Sequence, residues 1–166
     1  AGEVHGDTGL GTNEFPDPPK KPLKKNAILH MYESIMKSPT KVKLVGTGAL
    51  TNIALLLKTF PDVKENIDEI VFMGGAVNFG NITPCSELNI YCDPEAADIV
   101  CNSGLKVVMI PLDVTHTTMV SLETRKRIQD MNTKFAKACL ELLEFYADAY
   151  KRIYSFETCP LHDPCA

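Results

Sequence analysis

The sequence of 166 residues lacks several features that mark membrane, secreted and nucleic-acid-binding proteins. No apolar run reaches the roughly 18 residues that a membrane-spanning helix needs. The N-terminal residues show no charged region followed by an apolar one, as a secretory signal would. The net charge of −4 provides no basic excess for contacts with phosphates. We therefore expect neither a membrane nor a nucleic acid as a partner.

The six cysteines form no C-x-x-C pair and are spread over the second half of the chain. Such a pattern leaves a disulfide framework open but does not indicate one. A reduced intracellular protein is the simpler interpretation, because thiols stay reduced in that compartment. We therefore expect a cytoplasmic protein.

Nucleotide-phosphate motifs are also missing. Gly46-Thr47-Gly48 follows an apolar run, but it has neither the G-x-G-x-x-G pattern nor the Lys-Ser/Thr of a P-loop. A basic run at residues 20–25 lies in a stretch rich in proline, and we interpret residues 12–25 as a solvated proline- and lysine-rich loop. A phosphate-binding protein is accordingly a distant alternative.

What the sequence does contain is an alternation of short apolar runs with amphipathic segments. The apolar runs are predicted strands, at residues 42–45, 69–73 and 106–110. The predicted helices span residues 26–38, 50–59 and 122–131, with two more beginning at Asp93-Pro94 and at Thr133. Strands that alternate with helices indicate parallel βαβ units, so we predict an α/β fold in one domain over residues 1–166.

Polar side chains follow the second predicted strand. In an open α/β sheet, ligands bind beyond the carboxyl ends of the strands. Asn81, Glu87 and Asn89 lie in that position, and Glu87 and Asn89 would point the same way if the chain were extended. A carboxylate and two amides can bind a ligand with several hydroxyl groups, such as a sugar. The alternative is that these side chains cap turns around Gly80 and Pro84.

Two histidines stand in contexts that suit proton transfer. His5 lies in a glycine-rich loop, and His162 is followed by Asp163, which could pair an acid with a ligand for a hard metal ion. A single histidine is more often structural, so both interpretations stay open. We interpret His30 and His116 as structural.

Several passages together resemble the inosine-uridine preferring nucleoside hydrolase family, which cleaves the N-glycosidic bond of ribonucleosides. The matching passages are VGTGALTNIALLL, IDEIVFMGGAV, GNITPCSELNIYCDPEAADIV and PLDVTH, with VHGDTGLG before them and LHDP after them. The resemblance implies an open, mostly parallel sheet flanked by helices. It also implies a role in nucleoside catabolism and salvage, and it leaves a homo-oligomer open.

The resemblance assigns roles to individual residues. Thr47, through its backbone carbonyl, and Asp163 match ligands of a bound Ca²⁺. His162 matches a histidine near the leaving base, a candidate general acid, and His5 matches a loop histidine for base recognition or proton transfer. The positions that match ribose-binding residues are Met73, Asn81, Glu87 and Asn89.

The chemistry that the resemblance implies is a hydrolysis. A hard cation with oxygen ligands would hold the ribose diol and lower the pKa of a bound water. That water would attack the anomeric carbon while the base departs through an oxocarbenium-like transition state. A general acid would protonate the base.

One departure from the family pattern concerns an aspartate cluster of the form D-T-D-P-G-x-D-D. The family carries it near the N-terminus, and nothing in residues 1–40 matches it. We therefore expect a fold incomplete at its N-terminal side, an incomplete calcium site and a chain that is inactive or nearly so by itself. The alternative from another class is a non-catalytic truncated paralogue that binds nucleoside or ribose, or that serves as a partner subunit.

Overall fold

The computed structural model describes residues 6, 9–11 and 15–166. These residues divide into two compact units. The sheet unit contains Pro22–Thr117 and His162–Ala166, and the helical unit contains Thr118–Leu161 with the described part of Ala1–Lys21. The prediction of one domain over residues 1–166 stays a prediction.

A parallel sheet lies at the centre of the sheet unit. In the described residues its strands are β1 (Val42–Gly46), β2 (Ile67–Met73) and β3 (Lys106–Ile110), side by side in that order. The sheet is open, with β1 and β3 at its edges. All three strands occur where the apolar runs predicted them, and the predicted α/β class with an open parallel sheet is confirmed.

Helices connect the strands and supply the rest of the core. They are α1 (Ala27–Met36), α2 (Thr51–Thr59), α3 (Leu88–Cys92), α4 (Pro94–Cys101) and α5 (Leu112–Thr115), with a 3₁₀ turn at Pro61–Asn66. The core joins Ile70 and Phe72 of β2 to Ile35, Leu56 and Val100 of the helices, and all five side chains are buried. Burial of this apolar surface is the main force that holds the helices against the sheet.

Polar side chains cap two helix starts in the sheet unit. The Asn26 side chain accepts hydrogen bonds from the backbone N–H groups of Ile28 and Leu29 at the start of α1. Asp93 caps α4 by accepting from the N–H of Ala96, and Pro94 occupies the first helical position. The hydroxyl of Thr51, at the start of α2, also bonds the Asp93 carboxylate.

The helical unit contains α6 (Leu122–Asp130) and α7 (Lys134–Tyr154), followed in the sheet unit by a 3₁₀ turn at Asp163–Cys165. Ser121 and Thr133 cap the two helices through their hydroxyl groups. Tyr150 of α7 and Cys159 are buried in the core of this unit. Within the described part of the chain, no helix combines the length and apolar character that a bilayer requires.

The loop predicted at residues 12–25 lies partly outside the described residues. From residue 15 to residue 26 the chain forms no helix or strand, and its side chains from 15 to 26 are exposed. All six cysteines are free thiols.

One row of charged side chains crosses the sheet. The register places Lys43 of β1 and Lys106 of β3 on either side of Glu69 of β2. The Glu69 carboxylate accepts from both ammonium groups, at 2.6 Å from Lys106. The hydrogen bond from Lys106, with that from Lys43, lowers the pKa of Glu69 from 4.5 to about 2.

We expect this row of charges to make the free energy of unfolding depend on pH in the acidic range. Because the folded state depresses the pKa of Glu69, its contribution is complete above the unfolded value and is lost as the pH falls toward 2. Glu69→Gln should therefore flatten the fall in the free energy of unfolding between about pH 5 and about pH 2. Urea unfolding at several pH values measures this, with the exposed Glu65→Gln as control. Equal slopes for Glu69→Gln and the unsubstituted protein would contradict the assignment.

Candidate functional site

The carboxyl ends of β2 and β3 stay joined beyond the strands. The N–H of Gly74 donates to the carbonyl of Ile110 at 3.1 Å, and the N–H of Leu112 donates to the carbonyl of Gly75 at 3.0 Å. These bonds fix the segment after β2 beside α5. Two hydrogen bonds thus join the backbone segments at the edge of the sheet where ligand binding is predicted.

Gly75 occupies a position that only glycine fits well. Its φ angle is +79°, in the left-handed region. A β-carbon at this position would lie 2.7 Å from Sδ of Met109 on β3. The close approach lets the backbone of Gly75 contact both α5 and, through its N–H, Glu87.

Glu87 is a buried carboxylate, with 3% of its surface exposed. Its Oε2 accepts from the N–H groups of Gly75 at 2.9 Å and Ile90 at 3.2 Å. Its Oε1 accepts from the N–H of Asn89 at 2.9 Å. Glu87 therefore caps the start of α3 and ties that helix to the end of β2.

The expectation of extended chain between Glu87 and Asn89 is wrong. Residues Leu88–Cys92 form helix α3, because the Glu87 carboxylate satisfies the N–H groups of its first turn. The alternative that these side chains act as caps therefore holds for Glu87, but Glu87 caps a helix and not a turn. Since a carboxylate offers about four lone-pair sites and three are occupied, about one remains for a ligand.

The other predicted ribose-binding residues join the same hydrogen-bonded group. Asn89 donates from Nδ2 to the carbonyl of Met73 at 3.0 Å, at the last residue of β2. Asn81 accepts at Oδ1 from the N–H of Leu88 at 2.9 Å, the first residue of α3. The structure thus brings Met73, Asn81, Glu87 and Asn89 together around α3.

Asp113 of α5 holds the loop that follows Gly75. Its carboxylate accepts from the N–H of Val77 at 2.8 Å and from the N–H and side-chain amide of Asn78. The bond from Val77 is the main cause that lowers the pKa of Asp113. Asp113 thereby keeps its negative charge while it fixes the loop.

His162 lies beside the end of α5. Its Nδ1 is 2.7 Å from Oγ1 of Thr115, and its ring centre is 5.6 Å from that of His116. Phe79 stacks on His116 with ring centres 5.1 Å apart. Burial lowers the pKa of His116, and the nearby charge of Asp113 opposes that shift in part.

The predicted calcium ligands are the remaining site residues. Thr47 is exposed directly after β1, and Asp163 is exposed at the start of the turn after His162. Across the described residues, no group of three or more His, Cys, Asp or Glu side chains could hold a metal ion. Calcium takes six to eight oxygen ligands, so these residues do not fit a complete calcium site. His5 lies outside the described residues.

The family model described as inosine-uridine preferring nucleoside hydrolase matches residues 1–166. The chain belongs to this family. The predicted membership is confirmed, and the family includes pyrimidine-specific and purine-preferring ribonucleoside hydrolases.

Three members of the nucleoside hydrolase family illustrate the similarity. A Dictyostelium discoideum protein named "Probable ribonucleoside hydrolase" is 44% identical over 99% of this chain and 52% of its own length. The pyrimidine-specific ribonucleoside hydrolase RihA of Salmonella newport is 43% identical over 99% of this chain and 53% of its own length. The solved structure of a purine-preferring ribonucleoside hydrolase from Gardnerella vaginalis superposes with a TM-score of 0.93 at 40% identity, over 99% of this chain and 52% of that one.

The chain thus spans about half the length of the nucleoside hydrolases that it matches. Two contributors to the site, Asp113 and Thr115, received no role of their own from the sequence or from the family resemblance. Both follow β3 in the segment 111–116, so their position at a strand end was the available signal. Their partners, Val77 and His162, lie far away in sequence and only the fold identifies them.

Proposed function

We propose that this chain forms the ribose-binding part of a site that hydrolyses the N-glycosidic bond of ribonucleosides to ribose and free base. One observation carries the proposal. Of the four residues that the family resemblance assigns to the ribose, Met73, Glu87 and Asn89 are joined by hydrogen bonds at the end of β2, and the fourth, Asn81, accepts from the N–H of Leu88 between two of them.

The chemistry of this group suits a sugar with vicinal hydroxyl groups. Asn89 directs Nδ2 to the carbonyl of Met73, and its Oδ1 can accept from a hydroxyl. The carboxylate of Glu87 has about one lone-pair site beyond its three backbone donors. Because both side chains are fixed by the backbone before a ligand arrives, little conformational entropy is lost on binding.

In the proposed reaction, a water oxygen forms a bond to the anomeric carbon, and the electron pair of the N-glycosidic bond leaves with the base. His162 donates a proton to the departing base. The negative charge of Glu87 stabilises the positive charge that develops on the ribose ring. In a protein that also contains the D-T-D-P-G-x-D-D segment, an aspartate of that segment would accept the proton that the attacking water releases.

Calcium enters this proposal only for a protein that also supplies the aspartate cluster. In this chain the carbonyl of Thr47 and the carboxylate of Asp163 are too few donors, so no reaction step is assigned to a metal ion.

Relatives with purine and pyrimidine preference are both known, and we assign no preference here. The six free thiols are compatible with a reducing compartment such as the cytoplasm.

A second candidate is a non-catalytic protein that binds nucleosides, which applies if the protein that contains this chain lacks a D-T-D-P-G-x-D-D segment. The two candidates share the ribose-binding group and differ in turnover. A protein that contains this chain together with a D-T-D-P-G-x-D-D segment should be a hydrolase, whereas the 166 residues alone should bind nucleoside with little or no turnover.

The test measures binding and hydrolysis of inosine and uridine with added Ca²⁺. We expect calorimetry to detect binding that Asn89→Ala weakens about tenfold, the effect of one lost hydrogen bond to a ligand. Asn102→Ala is the matched control, because Asn102 follows α4 and precedes the amino end of β3, at the opposite end of the sheet.

Two results would contradict the proposal. One is the absence of both binding and hydrolysis for either nucleoside. The other is robust hydrolysis that neither Glu87→Ala nor Asn89→Ala reduces, since these residues could then not belong to the site.

A further inference from the structure

The loop between β2 and α3 is held in place more by hydrogen bonds than by packing. Residues 74–87 form no helix or strand. Two apolar side chains of this loop lie largely in solvent, since Val77 is 73% exposed and Ile82 is 46% exposed. Because apolar burial is the main force that fixes a segment elsewhere in the fold, its scarcity here leaves the position of the loop to polar contacts.

Asp113 supplies the polar contacts of the first half of the loop. Its Oδ2 accepts from the N–H of Val77 at 2.8 Å. Its Oδ1 accepts from the N–H of Asn78 at 3.2 Å and from the side-chain amide of Asn78 at 2.6 Å. Hydrogen bonds to an ionised carboxylate are stronger than those between neutral groups, so this contact holds two consecutive loop residues against α5.

A ring contact attaches the next part of the loop to the same segment. Phe79 stacks on His116, which directly follows α5, with ring centres 5.1 Å apart. The segment is itself bonded to the edge of the sheet, because the N–H of Leu112 donates to the carbonyl of Gly75 at 3.0 Å. The loop is therefore attached to a part of the chain that the sheet fixes.

The second half of the loop is a tight turn that contains Asn81. The N–H of Gly80 donates to the carbonyl of Pro84 at 2.8 Å, and the N–H of Asn81 donates to the carbonyl of Ser86 at 3.0 Å. Oδ1 of Asn81 also accepts from the N–H of Leu88 at 2.9 Å. Because the turn is bonded internally, the attachments at its two ends decide where the Asn81 side chain lies.

We propose that Asp113 is a positioning residue for ribose binding: by holding Val77 and Asn78 it sets where the turn begins and so where Asn81 lies. Asp113 acts through the loop and not through contact with the ligand. The part that concerns ribose rests on the function proposed above, which assigns Asn81 to the sugar. The control of Asn81 by Asp113 is a property of the fold and can be tested without a ligand.

Hydrogen exchange of the 166-residue chain tests that control. Asp113→Ala should accelerate exchange of the Leu88 N–H about tenfold, because the acceptor of this N–H is Asn81. The N–H groups of the next two residues donate to Glu87 instead, so their exchange should change less than about twofold. A merely structural role of Asp113 would accelerate all three amides together, since it would weaken α3 as a whole.

A second variant and a matched control make the exchange experiment specific. Asn78→Ala removes one of the three donors to Asp113, so it should accelerate Leu88 exchange less than Asp113→Ala does. Added to Asp113→Ala it should have no further effect, because its acceptor is already gone. Asp98→Ala is the control: Asp98 accepts from the side-chain amide of Asn102 at 2.8 Å, on α4 and away from the loop, and Leu88 exchange should stay unchanged.

A titration with ribose tests the functional part. Asp113→Ala should weaken ribose binding about tenfold, and by no more than Asn81→Ala does. The double variant should bind ribose as weakly as Asn81→Ala alone, because a residue that acts through Asn81 has no effect once that side chain is removed. Additive losses in the double variant would overturn the inference.

Two exchange results would overturn it as well. One is unchanged Leu88 exchange in Asp113→Ala, and the other is equal acceleration of all three amides at the start of α3. Should Asp113→Ala fail to fold, Asn78→Ala decides the matter by the same pattern of amides, since Asn78 is exposed. Absence of ribose binding in the unsubstituted chain would contradict the proposed function, whereas the exchange result still decides whether Asp113 fixes Asn81.

Discussion

Replacing Glu87 by alanine is expected to lower the free energy of unfolding by about 3 kcal/mol, the combined effect of a lost helix cap and lost charge-assisted hydrogen bonds. The carboxylate is 3% exposed and accepts from the backbone N–H groups of Gly75, Asn89 and Ile90. Alanine leaves all three donors without their partner. Urea unfolding followed by circular dichroism measures the loss.

Two further variants make this prediction specific. Glu87→Gln keeps one carbonyl acceptor but places an amide donor against a backbone donor. It should therefore lower the free energy of unfolding, but by less than Glu87→Ala does. Glu65→Ala removes an exposed glutamate from the 3₁₀ turn before β2 and should change stability by less than about 0.5 kcal/mol. A Glu87→Ala loss no larger than that of Glu65→Ala would show that the carboxylate does not hold α3.

The second large effect is expected at Gly80. A β-carbon there would lie 2.2 Å from the carbonyl oxygen of Thr83 and 2.4 Å from the N–H nitrogen of Ser86. Both are backbone atoms of the same tight turn, in which Gly80 donates to the carbonyl of Pro84 at 2.8 Å. Because backbone atoms cannot move aside as a flexible side chain can, Gly80→Ala should open the turn and cost about 3 kcal/mol.

Hydrogen exchange of the turn amides checks this expectation. The N–H groups of Asn81, Ile82 and Thr83 all donate to the carbonyl of Ser86, so their exchange should accelerate in Gly80→Ala. Gly48→Ala is the matched control, since a β-carbon at Gly48 meets no atom within 4 Å. Similar exchange and stability in the two variants would contradict the prediction.

The strands and most helix starts could be predicted from the sequence because their signals are local. Each predicted strand is a short apolar run, and the observed strands contain all three runs. Asp93 followed by Pro94 is a capping pattern that works within one turn of chain, and α4 begins there. Elements of this kind depend little on the rest of the fold.

Helix α3 could not be predicted in the same way. It has five residues, too few to show a helical period, and its cap is a glutamate whose carboxylate also binds the N–H of Gly75 from another segment. The tertiary contact and the helix therefore form together. That coupling explains why Glu87 and Asn89 were expected in extended chain.

The contact between the ring of His162 and the hydroxyl of Thr115 is a second feature that could not be predicted from the sequence. The two residues are 47 positions apart in the sequence, and neither position implies the other. His162 was found through the family resemblance, whereas Thr115 was identified only when the fold placed it against the ring. Interactions of this range depend on the folded chain as a whole.

The most direct measurement of the central claim is a titration of ribose into ¹⁵N-labelled chain, followed by NMR with and without Ca²⁺. A ribose-binding group around α3 predicts saturable shifts at the side-chain amides of Asn81 and Asn89 and at the N–H of Gly75, with Asn102 unchanged. Saturation that leaves these three signals in place, or no saturable shift at all, would contradict the account.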